Sequence, residues 1–139
     1  MQLSESEARR RFASARVLRL ATADEEGTPH VVPATFAVQG DVVAIAVDQK
    51  PKRHQNLRRL RNITANDHVS LLVDEYHDDW TRLWWVRADG SGRVLEDDKR
   101  NAPLDWLASK YPQYAETRPD GPVIEITVTR WSGWSYTTS

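Results

Sequence analysis

Apolar positions along the chain recur with two different periods, and the switches between them lay out the elements. Ser4-Glu5-Ser6-Glu7 has the capping-box pattern, in which a hydroxyl and a carboxylate satisfy free amides at a helix start. It predicts a short helix from there to about Ala15, with Arg9-Arg10-Arg11 as a solvated face. Val17–Thr22 alternates as a strand, and Asp24-Glu25-Glu26-Gly27 predicts a turn. A second strand is predicted over His30–Val38. Gln39-Gly40-Asp41 turns it into a third, Asp41–Val47, whose apolar β-branched run has the length of a buried strand. These three read as a meander. Pro33 cannot donate to a ladder, so it is expected at an edge or a bulge.

A basic run, Lys50-Pro51-Lys52-Arg53-His54-Gln55-Asn56-Leu57, follows. Pro51 suits a first helical position, where an N–H has no partner in any case. A helix is therefore predicted from Pro51, with Arg58, Arg59 and Arg61 toward its far end, where the dipole favours cations. After a turn-rich break over Arg61–Asp67, a fourth strand is predicted over His68–Val73 and an acidic loop over Asp74–Asp79. Thr81–Leu95 reads as a long fifth strand bent at Gly90 or Gly92. Leu104, Leu107, Ala108 and Tyr111 have helical spacing within a helix over Ala102–Tyr111. A loop over Pro112–Gly121 leads to a last strand, Val123–Tyr136, with Ile124, Ile126 and Val128 on one face and Glu125, Thr127 and Thr129 on the other. The whole predicts one domain over residues 1–139, mainly β with helices: about six antiparallel strands closed into a small barrel.

The basic run carries the chemistry. Lys50, Lys52 and Arg53 fall in or beside the first turn of the predicted helix, where the dipole already places about half a positive charge. Cations there call for an anion, and phosphate is the commonest; the alternative is a solvated surface cluster. The run holds no glycine, so side chains and helix amides would have to do the holding. Net charge is −1, so the basic patch is local and no nucleic-acid partner is expected. There is no cysteine, which rules out thiolate nucleophiles, disulfides and cysteine-ligated metals. His30, His54, His68 and His77 lack metal-ligand spacing, and no metal is expected. No apolar run reaches the roughly 20 residues of a membrane span, and Met1–Glu7 has no apolar signal core. A cytoplasmic protein without a membrane partner is the expectation. Leu83-Trp84-Trp85-Val86 is apolar on both strand faces, which predicts that a second subunit or a flat ligand covers the outer one; the alternative is that a helix of the same chain packs Trp84 or Trp85. With an anion site, aromatic walls and no acid–base or nucleophilic motif, the chain suits a phosphorylated organic cofactor that performs the chemistry itself.

Several stretches in order resemble one family. They are Arg19-Leu20-Ala21-Thr22, Gly27-Thr28-Pro29-His30-Val31-Val32-Pro33, Lys50-x-Lys52-Arg53-x-x-Asn56-Leu57-Arg58-Arg59, Val69–Asp74 and Asp79-Trp80. The chain is similar to the flavin- and deazaflavin-binding split β-barrel proteins, relatives of pyridoxamine 5′-phosphate oxidase, over roughly residues 5 to 135. Asp79–Arg87 most resembles the branch that uses coenzyme F420. The resemblance implies a six-stranded split barrel, a homodimer with cofactor sites between subunits, and hydride transfer from reduced F420 to a small organic acceptor. FMN is the alternative cofactor, and a non-catalytic cofactor- or haem-binding protein the alternative role. It implies that Lys50, Lys52 and Arg53 hold the phosphate with Asn56 nearby, that Pro33, Thr35 and Phe36 lie along the ring, and that Trp80 borders the site. The C-terminus, Trp131–Ser139, lacks the Arg/His pattern that true pyridoxamine phosphate oxidases use for their substrate's phosphate, which argues against a vitamin B6 role.

Overall fold

The computed structural model describes residues 1–47 and 57–137. Seven strands form one antiparallel sheet: β1 Leu18–Ala23, β2 Pro29–Ala34, β3 Ala37–Gln39, β4 Val42–Ala46, β5 His68–Glu75, β6 Trp84–Leu95 and β7 Val123–Ser135. Their spatial order is β2-β1-β5-β6-β7-β4-β3. Among the described residues, four α-helices accompany them: α1 Glu5–Ser14, α2 Arg58–Ala65, α3 Asn101–Lys110 and α4 Pro112–Glu116.

The sheet has seven strands where six closed into a barrel are predicted, and its first strands do not form a meander. The expected second strand breaks at Thr35-Phe36 into β2, which pairs with β1, and β3, which pairs with β4. Those two pieces are the opposite edges of the sheet, and they are not hydrogen-bonded to each other. In a flat sheet they would stand about 29 Å apart, six spacings of ~4.8 Å. The three peptide steps from Ala34 to Ala37 reach at most ~11 Å. The sheet therefore curls until its edges nearly meet, leaving a split at the crossover. Pro33 sits on the edge strand β2, as its missing donor requires.

The concave side holds the main core: Phe12, Leu18, Leu20, Phe36, Ile45, Leu71, Ile124 and Ile126 are all essentially inaccessible. Helix α1 fills the curl. Ser4 Oγ accepts from the Glu7 amide at 3.2 Å, and Phe12 meets Phe36 and Trp131 edge-on at 5.1 and 5.2 Å. Hydrogen bonds from Arg10 and then Arg11 hold the Glu7 carboxyl down at about 2. The arginine triple is only partly a solvated face, because Arg11 also lies 5.5 Å from the ring of Trp84 and covers it. A second, smaller cluster joins Leu104, Leu107 and Tyr111 of the α3 region to Ala37, Ala44 and Val123.

The long hairpin β6–β7 shifts register between Asp89 and Gly90. A Cβ at Gly90 would lie 2.2 Å from the Thr127 carbonyl oxygen, so only glycine lets the strands approach here. The shift skips Thr129 and flips the later part of β7. Trp131 consequently points into the core, while Trp134 joins the outer face. Among the described residues, no helix is long and apolar enough to cross a membrane.

Candidate functional site

The helix that follows the basic run starts later than predicted. Its first helical residue is Arg58, and Leu57 is an N-cap without a side-chain hydrogen bond. Lys50, Lys52, Arg53 and Asn56, with the predicted helix start at Pro51, lie outside the described residues. Backbone hydrogen bonds hold the residues on either side. Val47 N–H donates to the Pro122 carbonyl at 3.0 Å, and Leu57 O accepts from Leu60 and Arg61 at 3.1 Å.

The later start reverses the electrostatics of Arg58, Arg59 and Arg61. They stand in the first turn, which contains no acidic residue, and so lie at the positive end of the dipole. Arg58 is exposed, and its charge helps to hold the Asp24 carboxyl below its usual range, after the larger effect of the Thr28 amide. Arg59 is half-buried, and burial pulls its guanidinium below the usual arginine range. Its Nε is shielded from solvent and has no hydrogen-bond partner among the described residues. A desolvated cationic donor at an uncapped helix start is the arrangement an anion would complete. The missed signal was in the sequence: nothing from Leu57 to Arg61 is acidic or able to cap.

Beside α2 lies a cavity of about 740 Å³ between Leu60, Arg61 and Thr64 on one side and Val94, Glu96 and Asp120 on the other. Arg100 also lines it, but its guanidinium is engaged by backbone carbonyls: Nε by Asp97 at 3.0 Å and Nη1 by Gly121 at 2.9 Å. With Asp97 added, three carboxylates face this space.

Pro33, Thr35 and Phe36 lie together at the split. Pro33 is exposed and Thr35 half-buried, with Thr35 Oγ1 2.8 Å from the Tyr114 hydroxyl. The Phe36 ring is wholly inside the core, so at this residue only the backbone faces the split. Trp80 is elsewhere. It begins a 3-10 turn capped by Asp79, is 61% exposed, and donates from Nε1 to the Tyr76 hydroxyl at 3.4 Å. That turn precedes Trp84, whereas α2 packs at the far end of β6 around Gly92 and Val94. Eight residues of strand separate Trp84 from Gly92, roughly 26 Å. One copy of the chain does not bring Trp80 to α2.

The outer face of the sheet is apolar at its centre. Trp85 stands opposite Trp134 on β7 and Asp74 on β5, and Leu72 stands between Arg19 and Arg87. Val31, Leu72, Trp85 and Trp134 are 61%, 38%, 37% and 37% exposed around a groove of about 650 Å³. Trp84, by contrast, is covered by α1 of the same chain.

Compared with known proteins, residues 4–135 match the family described as pyridoxamine 5′-phosphate oxidase. Among solved structures, the chain is similar to a FAD-binding protein from Mesorhizobium loti, with 24% identity, 96% and 95% of the two chains covered and a TM-score of 0.73. A FAD-binding protein from Mycobacterium smegmatis shares 18% identity, with 96% of each chain covered and a TM-score of 0.66. A haem-storage protein from Vibrio cholerae shares 16%, with 96% and 95% covered and a TM-score of 0.72. At these identities the likeness is one of fold. No curated protein matches the chain.

Proposed function

Because this chain belongs to the pyridoxamine 5′-phosphate oxidase family, we propose that it is a flavin-type oxidoreductase whose cofactor phosphate is held at the start of α2. The observation that carries this reading is Arg59: a buried guanidinium nitrogen with no hydrogen-bond partner among the described residues, in an acid-free first turn. A phosphate there satisfies the orphaned donor, the free helix amides and the dipole together. Lys50, Lys52, Arg53 and Asn56, which precede that turn in the sequence, would share the phosphate. Pro33 and Thr35 would border the ring at the split, and Phe36 would fix that strand by its burial.

The site would lie between two copies of the chain. The apolar outer face supplies a dimer surface, and a partner subunit supplies the Trp80 that one copy holds too far from α2. The protein's part is to bind the phosphate, orient the ring and keep water from the acceptor. Bound there, the cofactor would supply hydride chemistry toward a small organic acceptor.

The cofactor we propose is F420, on the resemblance of Asp79–Arg87 to the F420-using branch. FMN or FAD is the second reading. It is favoured by the carboxylates of Glu96, Asp97 and Asp120 around the cavity beside α2, which would repel a polyglutamate tail entering there. The FAD-binding neighbours agree with that second reading. Absorption spectra of the purified protein, alone and with F420, FMN or FAD added, decide between them. A flavin spectrum in the purified protein, or tighter FMN binding, rejects F420; no binding of any of the three rejects the oxidoreductase reading.

A further inference from the structure

Thr35 and Phe36 are the two residues by which the chain crosses from one edge of the sheet to the other, and α3–α4 grips both. The Phe36 amide donates to the Tyr111 hydroxyl at 3.1 Å, and that hydroxyl donates onward to the Arg16 carbonyl at 2.9 Å. Thr35 Oγ1 and the Tyr114 hydroxyl are 2.8 Å apart. The Lys110 ammonium stands 3.7 Å from the centre of the Phe36 ring and donates to the Ala13 carbonyl at 3.0 Å. The rings of Tyr111 and Tyr114 meet edge-on at 5.6 Å, so the two hydroxyls are presented as a unit.

A crossover between unpaired edges has no ladder of its own to hold it. Backbone ladders fix β2 on β1 and β3 on β4, but nothing in those ladders sets the width of the gap between β2 and β3. The two tyrosine hydroxyls do so, by tying consecutive residues of the crossover to one helical hairpin. We propose that Tyr111 and Tyr114 are positioning residues that set the split between β2 and β3 and so determine how a cofactor ring seats against Thr35. This rests on the cofactor reading above and deepens it. Neither tyrosine is assigned a bond to be made or broken. In a hydroxyl pair one O–H donates within the pair and the other remains free, so the pair also offers one outward donor beside the ring.

The test uses the full-length protein. Tyr114→Phe and Thr35→Val remove the two hydroxyls with little change in shape, and Thr35→Ser keeps one. Each of the first two is expected to weaken binding of F420 or FMN, whichever the wild type takes, by about three- to tenfold, the scale of one net hydrogen bond. The double variant is expected to be no worse than the weaker single one, and Thr35→Ser to bind as wild type does. In the cofactor-free protein, Tyr111→Phe is expected to speed exchange of the Phe36 amide hydrogen about tenfold. A clamp serving only stability would lower the unfolding temperature and leave the folded protein's affinity unchanged. Affinities of Tyr114→Phe and Thr35→Val within twofold of wild type overturn the proposal alone, as does unchanged Phe36 exchange in Tyr111→Phe. A wild type that binds neither cofactor overturns the cofactor reading and this proposal with it.

Discussion

The side-chain amide of Asn62 donates to Thr22 Oγ1 at 3.0 Å, and both residues are almost wholly buried, at 2% and 4% exposure. This contact, with Leu60 and Ile63 buried in the core and the Asn66 side-chain amide donating to the Asp24 carbonyl at 3.4 Å, seats α2 on β1 and so places its first turn, with Arg58 and Arg59. Removing one partner leaves the other buried and unsatisfied. Asn62→Leu is expected to destabilise the protein by about 1–3 kcal/mol. Adding Thr22→Val to that variant is expected to recover part of the loss. Urea denaturation of the two singles and the double gives the coupling; additive losses would mean that the contact does not hold the helix.

The outer sheet face leads to a prediction about assembly. Trp85 and Trp134 stand opposite each other with Leu72 nearby, all partly exposed. Light scattering is expected to find a dimer at micromolar concentration. Trp85→Arg buries a charge in that apolar surface and is expected to yield a folded monomer with weakened cofactor binding, since Trp80 is then lost from the site. A monomeric wild type contradicts both the dimer and the shared site.

Lys110 gives the fold a pH dependence. Burial, then the charge of Arg16, holds its ammonium down at about 8. The unfolded chain has the ordinary lysine value near 10.5, so between these values it binds a proton that the folded protein has released. Stability from this group therefore rises from pH 8 to 10.5, and its desolvation penalty is fully present below pH 8. The Phe36 ring and the Ala13 carbonyl oppose the shift by favouring the charged form. An NMR titration of the Lys110 side chain is expected to show a midpoint near 8, and wild type is expected to gain on Lys110→Met over that window. A midpoint near the ordinary value would mean that ring and carbonyl cancel the burial.

Much of this fold was legible in periodicity. The helix start capped by Ser4, the strands at β1, β4, β5 and β7, the bend at Gly90 and the spacing of α3 all emerge near their predicted places, although the Glu7 carboxylate of the capping-box pattern binds Arg10 and Arg11. What was not legible is non-local. His30–Val38 is continuous in its pattern, and only the pairing partners of its two halves reveal the break at Thr35-Phe36. α4, five residues beginning at Pro112, is too short to show a period. Pro51 was a local start signal, while the described helix begins at Arg58, where its buried face, Leu60, Asn62 and Ile63, meets the sheet. The pairing of Tyr111 and Tyr114 with the crossover spans about eighty residues of sequence and has no local signature.

The most direct test of the central claim is fluorescence titration of F420 and FMN, side by side, into wild type and Arg59→Ala. Wild type is expected to bind F420 at micromolar or better, about −8 kcal/mol, and FMN more weakly, with affinity falling as salt rises. Arg59→Ala is expected to lose about 1–3 kcal/mol of binding with undiminished folding stability, because it removes a desolvated cation from the positive end of a helix. Tighter FMN binding transfers the assignment to the flavin. Affinity indifferent to Arg59, or no binding of either cofactor, contradicts the phosphate site at the start of α2.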